Sequence, residues 1–368
     1  MEHFCVNPYF YRLLHDNQVR PCCWLQRRPD VQRVHKDILA DVPSPDCKKC
    51  WTAEAAGIKS KRQIDNDNLV RLTGQTLEQL KTQAQTHEQV ISWQIKLSND
   101  CNLACKTCYA EDSTSWYNEH NFYNPKHQFK RVVKIQPDSM DYINFEAVKH
   151  IEFLGGEPFI TRLHVPFLQR LLEKGNTDLQ LCYTTNGMKL PDADVVNILQ
   201  QFKNVVIKIS IDGIGSRFEY LRWPADWNQL QDNISWYKSK FTDVSCAHVL
   251  SSLTIGYLDE FLPYALGTFG AKKLTFNIVD HPYYLAPNVL PEEIKHDIYK
   301  KFRQSKFWPI LEQYADLMLP KANNFTLGRL AVHLLRQDQY RNQNIKDFLP
   351  EIVFFNTSRP LRKSSREI

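Results

Sequence analysis

The sequence contains no stretch that approaches the roughly 20 apolar residues needed to cross a bilayer. Its first residues, MEHFCVNPYF, also lack the basic start and apolar run that form an export signal. We therefore expect a cytoplasmic protein with no membrane partner. With 368 residues and 43% hydrophobic content, the chain has enough apolar surface for a buried core.

Long runs of like charge are missing as well, apart from the short basic segment RPLRKSSREI at residues 359–368. The 46 basic and 41 acidic residues leave a formal net charge of +5. This balance does not indicate nucleic acid or a membrane surface as a partner. Internal repeats and low-complexity segments are absent too.

Cysteine, by contrast, is abundant, with ten in the chain. In a reducing compartment, clustered cysteines bind metal more often than they form disulfides. Cys182 and Cys246 lie in apolar strand-like runs and are expected to be buried small hydrophobes. The other eight form two groups, namely Cys5, Cys22, Cys23, Cys47 and Cys50, and then Cys101, Cys105 and Cys108.

Between residues 90 and 280, short β-rich runs alternate with amphipathic helical patterns. Six such units predict an α/β fold with a parallel sheet, either an open doubly wound sheet or an incomplete barrel. The runs are SWQIKLSN, HIEFLGG, LQLCYTTNG, VVIKISIDG, DVSCAHVLSS and KKLTFNIV.

The regions on either side differ from this pattern. Residues 1–75 scatter cysteines, Pro and Arg among short segments, followed by the helical-looking WTAEAAGIKSKRQ, so we expect their order to depend on metal. The segments PEEIKHDIYKKF and LGRLAVHLLRQDQYR indicate helices near the other end. We therefore divide the chain into 1–75, a βα domain over 90–285 and a helical extension over 286–368.

The segment SNDCNLACKTCYAE, residues 98–111, follows the first predicted strand of the βα series. Its cysteines would lie at the carboxyl end of that strand, the edge where ligands bind in parallel folds. A closed zinc site needs a fourth ligand, and His120 is the nearest candidate. Three thiolates on a 4Fe–4S cluster would instead leave one iron open to a small molecule.

The pattern C-x-x-x-C-x-x-C followed by an aromatic residue, here Tyr109, resembles that of the radical S-adenosylmethionine (SAM) enzymes. The resemblance implies that the open iron chelates the amino and carboxylate groups of SAM. An electron, from a donor such as flavodoxin or ferredoxin, then yields a 5′-deoxyadenosyl radical that abstracts a substrate hydrogen. It also implies a partial (β/α)6 barrel of the TIM type rather than a doubly wound sheet.

Three further motifs carry the same resemblance at later strand ends. LGGEP supplies Gly155, Gly156 and Glu157, whose family counterparts bind the SAM amino group; its alternative interpretation is a Gly-Gly turn before a proline. TTNG and SIDG are ordinary strand-to-turn sequences taken alone. By the resemblance, the polar residues of these two motifs would lie near the ribose of SAM. They are Thr185, Asn186, Ser210 and Asp212.

Two more residues are assigned by the resemblance, which covers roughly residues 90–285. In related enzymes an arginine in the region of Arg222 pairs with the SAM carboxylate, and a guanidinium suits bidentate carboxylate recognition. Arg217 is the rival for this role. In FNIVD, which ends the sixth strand, Asn277 is the candidate for contacting adenine.

The cysteines at positions 5, 22, 47 and 50 would complete a second, closed cluster site. This part resembles the auxiliary-cluster modules called SPASM or twitch domains, although such modules usually follow the barrel. Asn17 replaces their expected Gly, and Asn tolerates the left-handed backbone required there. Adjacent side chains diverge along an extended chain, so only one of Cys22 and Cys23 is expected to bind the cluster; Cys22 is named as the ligand, and the choice between the two stays open. Structural zinc is the alternative.

Together these features predict a radical SAM enzyme with one auxiliary cluster that accepts an electron from the substrate radical. The expected reaction is oxidative modification of a peptide. The alternative is radical dehydrogenation of a small-molecule alcohol or sugar. A non-catalytic zinc-binding scaffold is the hypothesis from a different class, and it would leave the strand-end motifs unexplained.

Overall fold

A computed structural model describes residues 2–25, 29–55, 57, 59–86, 89–279, 281–320 and 324–353. The predicted basic segment at 359–368 lies outside these residues. Eight strands lie within them: β1 Tyr11–His15, β2 Gln18–Arg20, β3 Ser92–Lys96, β4 His150–Leu154, β5 Gln180–Thr185, β6 Asn204–Ser210, β7 Asp243–Leu250 and β8 Leu274–Ile278.

The same residues contain fourteen α-helices. The first seven are α1 Asn7–Phe10, α2 Val31–Leu39, α3 Lys48–Ala55, α4 Lys61–Thr73, α5 Leu77–Thr86, α6 Tyr117–Tyr123 and α7 Val165–Glu173. The others are α8 Ala193–Leu199, α9 Gly215–Leu221, α10 Trp227–Lys240, α11 Leu258–Phe269, α12 Glu292–Gln304, α13 Trp308–Ala315 and α14 Asn324–Arg341. No helix among the described residues has the length and apolar content required to span a membrane.

The chain forms two compact units. The first comprises Met1–Ser98, Val133–Tyr183 and Asp192–Val205, and the second Asn99–Val132, Thr184–Pro191 and Val206–Ile368.

In the first unit, strands β1, β3, β4 and β5 pair in parallel and in that order, with β2 added antiparallel to β1. Side chains alternate in burial along β3 and β4, as a pleated strand requires. Trp93 and Ile95 of β3 are buried and lie opposite the buried Ile151 and Phe153 of β4.

In the second unit, β6, β7 and β8 are also parallel neighbours. Each of the six predicted strand runs overlaps one of the strands β3 to β8, so the predicted α/β class with mostly parallel strands is confirmed. The partial barrel stays a prediction. The helical patterns between the runs are confirmed as α7, α8, α10 and α11, and those near the end as α12 and α14.

The hairpin β1–β2 was not predicted. Its two turn residues, Asp16 and Asn17, have φ values of 49° and 57°, as a two-residue hairpin turn requires. The left-handed backbone expected at Asn17 is thus confirmed. The Asn17 Oδ1 atom also accepts hydrogen bonds from the Gln136 N–H at 2.8 Å and the Ser139 hydroxyl at 2.9 Å. Glycine could not make these two contacts.

The segment WTAEAAGIKSKRQ belongs to two helices rather than one, because α3 ends at Ala55 and α4 begins at Lys61. Ala56 and Ile58 lie outside the described residues. Ser60 caps α4: its hydroxyl accepts from the Gln63 N–H, and the Gln63 side chain accepts from the Ser60 N–H. This capping box stabilises a helix start at a position that helical periodicity alone does not reveal.

The N-terminal segment has an apolar core of its own within the first unit. Phe4 and Phe10 pack there with Val34, Ile38 and Leu80, all fully buried. The order of this segment therefore has an apolar contribution in addition to the metal dependence that its cysteines predict.

Gly155 follows β4 with a φ of +146°, a conformation that side chains rarely adopt. A Cβ atom there would overlap the Ser98 carbonyl oxygen, and that same oxygen accepts a hydrogen bond from the Gly156 N–H at 2.7 Å. Glycine is therefore required for the close approach of these two backbone segments.

Gly155→Ala is expected to destabilise the chain by more than the roughly 1–2 kcal/mol that a left-handed alanine costs, because a backbone clash is added. Gly175→Ala is the matched control, since Gly175 has a φ of +68° and nothing lies within 4 Å of its added Cβ. Urea unfolding followed by circular dichroism measures both variants. Equal losses of stability would show that the Ser98 contact does not constrain this turn.

Candidate functional site

Two backbone hydrogen bonds hold the cysteine loop in the second unit. The Ala104 N–H donates to the Trp223 carbonyl and the Lys106 N–H to the Leu221 carbonyl, both at 2.7 Å. We call this pair of hydrogen bonds the backbone clamp. Cys105 lies between the two donor residues, and Arg222 lies between the two acceptor residues. The backbone thus brings Cys105 and Arg222 side by side.

The Arg222 guanidinium lies between a thiol and a carboxylate. Its Nη1 is 3.9 Å from the Cys105 Sγ and its Nη2 is 2.8 Å from the Asp212 Oδ2. The Arg222 and Asp212 side chains are 8% and 1% exposed. The other Asp212 oxygen accepts from the Val249 N–H at 2.9 Å, which fixes the carboxylate. Within the described residues, the Arg222 Nε has no hydrogen-bond partner.

Burial alone would lower the pKa of Arg222, but the Asp212 carboxylate and Cys105 raise it above its usual value. The guanidinium therefore remains charged beside Cys105. Burial raises the pKa of the Cys105 thiol, and Arg222 opposes that rise. A fixed cation at this distance favours the thiolate, which is the form that binds iron.

Arg217, the rival arginine, has different partners. Its guanidinium forms an ion pair with Glu260, donates to the Phe348 carbonyl at 3.0 Å and lies 4.2 Å from the Tyr257 ring centroid. The contacts to the cysteine loop thus belong to Arg222.

Asn186 contacts the first cysteine of the loop. Its Nδ2 is 3.8 Å from the Cys101 Sγ and 2.8 Å from the Asn102 Oδ1, while its own Oδ1 accepts from the Met188 N–H at 2.9 Å. The preceding Thr185 uses its hydroxyl to accept from the Gly187 N–H at 3.1 Å. This turn therefore presents an amide group to Cys101.

The remaining predicted residues of the second unit are placed differently. Ser210 is half-buried at the end of β6, and Asn277 is exposed on β8. Neither side chain forms a hydrogen bond within the described residues. The Tyr109 ring packs edge-on against His281 at 6.2 Å, and burial raises the pKa of its hydroxyl to about 12.

The three thiols of the loop are electrostatic neighbours. The pKa of Cys108 is well above its usual value, first because of burial and then because Cys105 and Cys101 add like charge. Within the described residues, no group of three or more His, Cys, Asp or Glu side chains is arranged to hold a metal ion. In a cubane each thiolate binds a different iron, so the donor set of this loop fits a cluster by its chemistry.

In the first unit, the predicted residues Gly155, Gly156 and Glu157 form a tight turn. Glu157 is 1% exposed, and its Oε1 accepts from the Phe159 N–H at 3.3 Å. The strained Gly155 conformation shows that this segment is more constrained than an ordinary turn before a proline.

The four predicted auxiliary ligands in the first unit are also electrostatic neighbours. Cys5 and Cys50 are buried, while Cys22 and Cys47 are half-buried. Burial raises the pKa of Cys47 to about 12, and Cys22 and Cys50 contribute to the rise. Burial likewise raises the pKa of Cys5, again with contributions from Cys22 and Cys50. The pKa shifts of Cys5 and Cys47 thus both depend in part on Cys22 and Cys50.

Cys22 differs from its neighbour Cys23, which is exposed. A hydrogen bond from Cys23, opposed by burial and assisted by Lys61, lowers the pKa of Cys22 to about 7. The Trp24 N–H and the Asn7 Nδ2 lie 3.4 Å and 3.7 Å from the Cys22 sulfur. These donors favour Cys22 as the thiolate of the pair. The buried state expected of Cys182 and Cys246 is confirmed.

Two buried ion pairs near the cysteine loop, Lys106–Asp338 and Arg341–Glu119, were not predicted from the sequence. The Lys106 Nζ lies 3.0 Å from the Asp338 Oδ1 and 3.8 Å from the Tyr220 ring centroid. Likewise, Arg341 donates through Nε to the Glu119 Oε2 at 2.8 Å. The only sequence signal is that Asp338 and Arg341 are charged residues in an otherwise amphipathic segment, a pattern that surface helices share.

A cavity of about 510 Å³ adjoins the loop in the second unit. Cys108 and Tyr109 lie on one side of it, α6 forms part of its wall, and α14 closes another side. This volume is in the range of small-molecule sites.

Comparisons with known proteins agree with the position of this loop. Residues 95–262 match the model of the Radical SAM superfamily. An uncharacterized protein of Methanocaldococcus jannaschii, MJ0907, is 26% identical over 195 residues, which are 50% of this chain and 61% of that protein. The chain thus spans about three fifths of that relative.

Matches among solved structures include native anSMEcpe with bound AdoMet, at a TM-score of 0.40 and 17% identity. The match covers 58% of this chain and 61% of that one. TYW1 with a lysine-pyruvate adduct bound has a TM-score of 0.31 and 14% identity, covering 58% of this chain and 70% of that one.

Proposed function

We propose that the chain is a radical SAM enzyme whose 4Fe–4S cluster is held by Cys101, Cys105 and Cys108. The observation that carries the proposal is the contact between Arg222 and Cys105, both of which lie in the segment that matches the Radical SAM superfamily model. When bound, the cluster would supply the electron that cleaves SAM, so that a 5′-deoxyadenosyl radical abstracts a substrate hydrogen.

Arg222 binds the SAM carboxylate in this proposal. Its guanidinium is charged, lies beside a cluster thiol and retains an Nε without a hydrogen-bond partner in the described chain. Asp212 acts through Arg222, because its carboxylate fixes the guanidinium from the other side. Asn186 positions Cys101 through its amide.

The other SAM contacts follow from the family resemblance. Glu157, Gly155 and Gly156 would bind the ammonium group of SAM. Thr185 and Ser210 would contact its ribose. Tyr109 and Asn277 would contact the rest of the nucleoside. The burial of the Glu157 carboxylate supports its assignment, since a buried carboxylate gains strongly from a cationic partner.

Cys5, Cys22, Cys47 and Cys50 hold an auxiliary 4Fe–4S cluster in this proposal. The burial of Cys5 and Cys50 and the two hydrogen-bond donors at the Cys22 sulfur support it. Such a cluster suits an oxidative outcome, because a substrate radical must lose an electron to form a closed-shell product. We therefore propose oxidative modification of a peptide, with a small-molecule alcohol or sugar dehydrogenase as the second candidate. Flavodoxin or ferredoxin would supply the first electron.

Replacing Cys101, Cys105 and Cys108 together with Ala is expected to abolish reductive SAM cleavage, because no thiolate remains to hold the SAM-binding cluster. The N-terminal cluster should persist, since the two sites share no ligand. Chromatography of 5′-deoxyadenosine measures the first outcome and EPR the second. Undiminished 5′-deoxyadenosine in the triple variant would sink the proposed function.

Arg222→Lys keeps the charge but removes the planar fork, so it should weaken SAM binding by about tenfold to a hundredfold. This range corresponds to the roughly 1.5–3 kcal/mol of a charge-assisted hydrogen bond. Arg217→Lys is the matched control and should bind SAM normally, because Glu260 is the ion-pair partner of Arg217. Titration of SAM against each anaerobic variant, followed by EPR, compares them. The reverse order of affinities would exchange the two roles.

The anaerobically reconstituted chain is expected to contain close to eight irons, because seven thiolates define two cubanes. Iron analysis and Mössbauer spectroscopy test this number. About four irons together with one zinc would instead assign Cys5, Cys22, Cys47 and Cys50 to structural zinc, without affecting the assignment of the SAM-binding cluster.

A further inference from the structure

The cavity beside the cysteine loop has one wall formed by a single face of α14. Phe325, Arg329, Val332 and Arg336 line it at spacings of three and four residues, which place side chains on one side of a helix. Gly328 also lines the cavity, and nothing lies within 4 Å of where its Cβ would be. The absence of a side chain at Gly328 therefore leaves part of the cavity open.

The charges of this wall are mostly positive. Arg329 and Arg336 lie 5.0 Å and 5.4 Å from the ring centroids of Phe325 and Tyr123, and neither forms an ion pair within the described residues. The Arg329 Nε is buried and has no hydrogen-bond partner there. The acidic residue that lines the cavity is Glu119 of α6, and it is already paired with Arg341. In the part of the chain that the structure describes, the guanidinium groups of Arg329 and Arg336 therefore have no counterion at this cavity.

The rest of the cavity surface is largely aromatic. The His333 ring lies 5.1 Å from the Tyr284 ring and is stacked at 6.3 Å on Trp116. All three rings line the cavity, as does Tyr109 on the side of the cysteine loop. Flat apolar groups pack well on such surfaces.

From this arrangement we propose that the cavity binds a ligand with one flat apolar group and one oxyanion, a carboxylate or a phosphate. The oxyanion pairs with Arg329 and Arg336, since guanidinium groups bind such anions bidentately. The flat group packs among Trp116, Tyr284 and His333. That this ligand is the substrate rests on the proposed function, because Cys108 and Tyr109 form one side of the same cavity. The proposal that the cavity binds such a ligand does not depend on the proposed function.

Three small probes test the proposal on the full, anaerobically reconstituted chain: 3-phenylpropanoate, phenyl phosphate and the neutral 3-phenylpropanamide. Ligand-detected NMR titration without reductant gives the affinities, so the result is independent of SAM cleavage. At least one of the two anions should bind about tenfold or more tightly than the amide. Whichever of the two anions binds more tightly shows whether the cavity prefers a carboxylate or a phosphate. Equal affinity of the amide and both anions would overturn the proposal.

Arg329→Gln and Arg336→Gln should each weaken binding of the preferred anion by about tenfold, with little change for the amide. Gly328→Trp should abolish binding of all three probes, because the new side chain enters the cavity. Gly267→Trp is the matched control and should bind normally, since Gly267 is also a helical glycine with nothing within 4 Å of an added Cβ. Unchanged binding by Gly328→Trp would contradict the location.

A competition titration distinguishes the cavity from the cofactor site. If SAM displaces the preferred anion competitively, the cavity belongs to the SAM site and the inference is wrong. If the anion binds with SAM present but the chain never forms 5′-deoxyadenosine, the cavity stands and the proposed function fails.

Discussion

The backbone clamp between the cysteine loop and residues 221–223 is the constraint on which the site depends. It consists of two hydrogen bonds of 2.7 Å. Because Cys105 and Arg222 lie between them, a thiol and a guanidinium share a buried region that would be costly for either charge alone. The Asp212 carboxylate makes the region tolerable by pairing with Arg222 at 2.8 Å.

Two buried ion pairs connect α14 to the cysteine loop and to α6. Lys106 is fully buried against Asp338, and Arg341 is fully buried against Glu119. Such pairs add little net stability, yet removal of one partner costs about 3–5 kcal/mol. Their effect is therefore to specify where α14 lies relative to the loop and α6. The cavity depends on that placement, because α14 supplies the wall with Arg329 and Arg336.

The N-terminal cysteines are organised by a different principle. Cys5 is buried in an apolar cluster with Phe4, Tyr9 and Phe10, so its backbone position is fixed by packing. Cys22, in contrast, receives hydrogen bonds that favour its thiolate. Apolar packing therefore positions Cys5, whereas hydrogen-bond donors act on the Cys22 sulfur.

Features that depend on local backbone conformation and on periodicity could be predicted from the sequence. The six strand runs, the helices between them and the left-handed turn at Asn17 were predicted because each depends on residues within a few positions. The spacing of the loop cysteines likewise indicated a shared ligand. The hairpin β1–β2 was missed, because strands of five and three residues are too short to show a clear alternation of apolar and polar residues. Its pairing with β3 joins residues about 80 positions apart and is not a local feature.

The contacts of the competing residues became visible in the folded chain alone: Arg222 rather than Arg217 contacts the cysteine loop, and the Asn7 amide lies beside the Cys22 sulfur. Arg222 and Cys105 are 117 positions apart, and Lys106 and Asp338 are 232 apart. Contacts at such separations depend on how whole elements pack, and that information is absent from any local pattern. For the same reason α14 looked like an ordinary amphipathic helix in the sequence, whereas in the folded chain it forms the wall of a cavity.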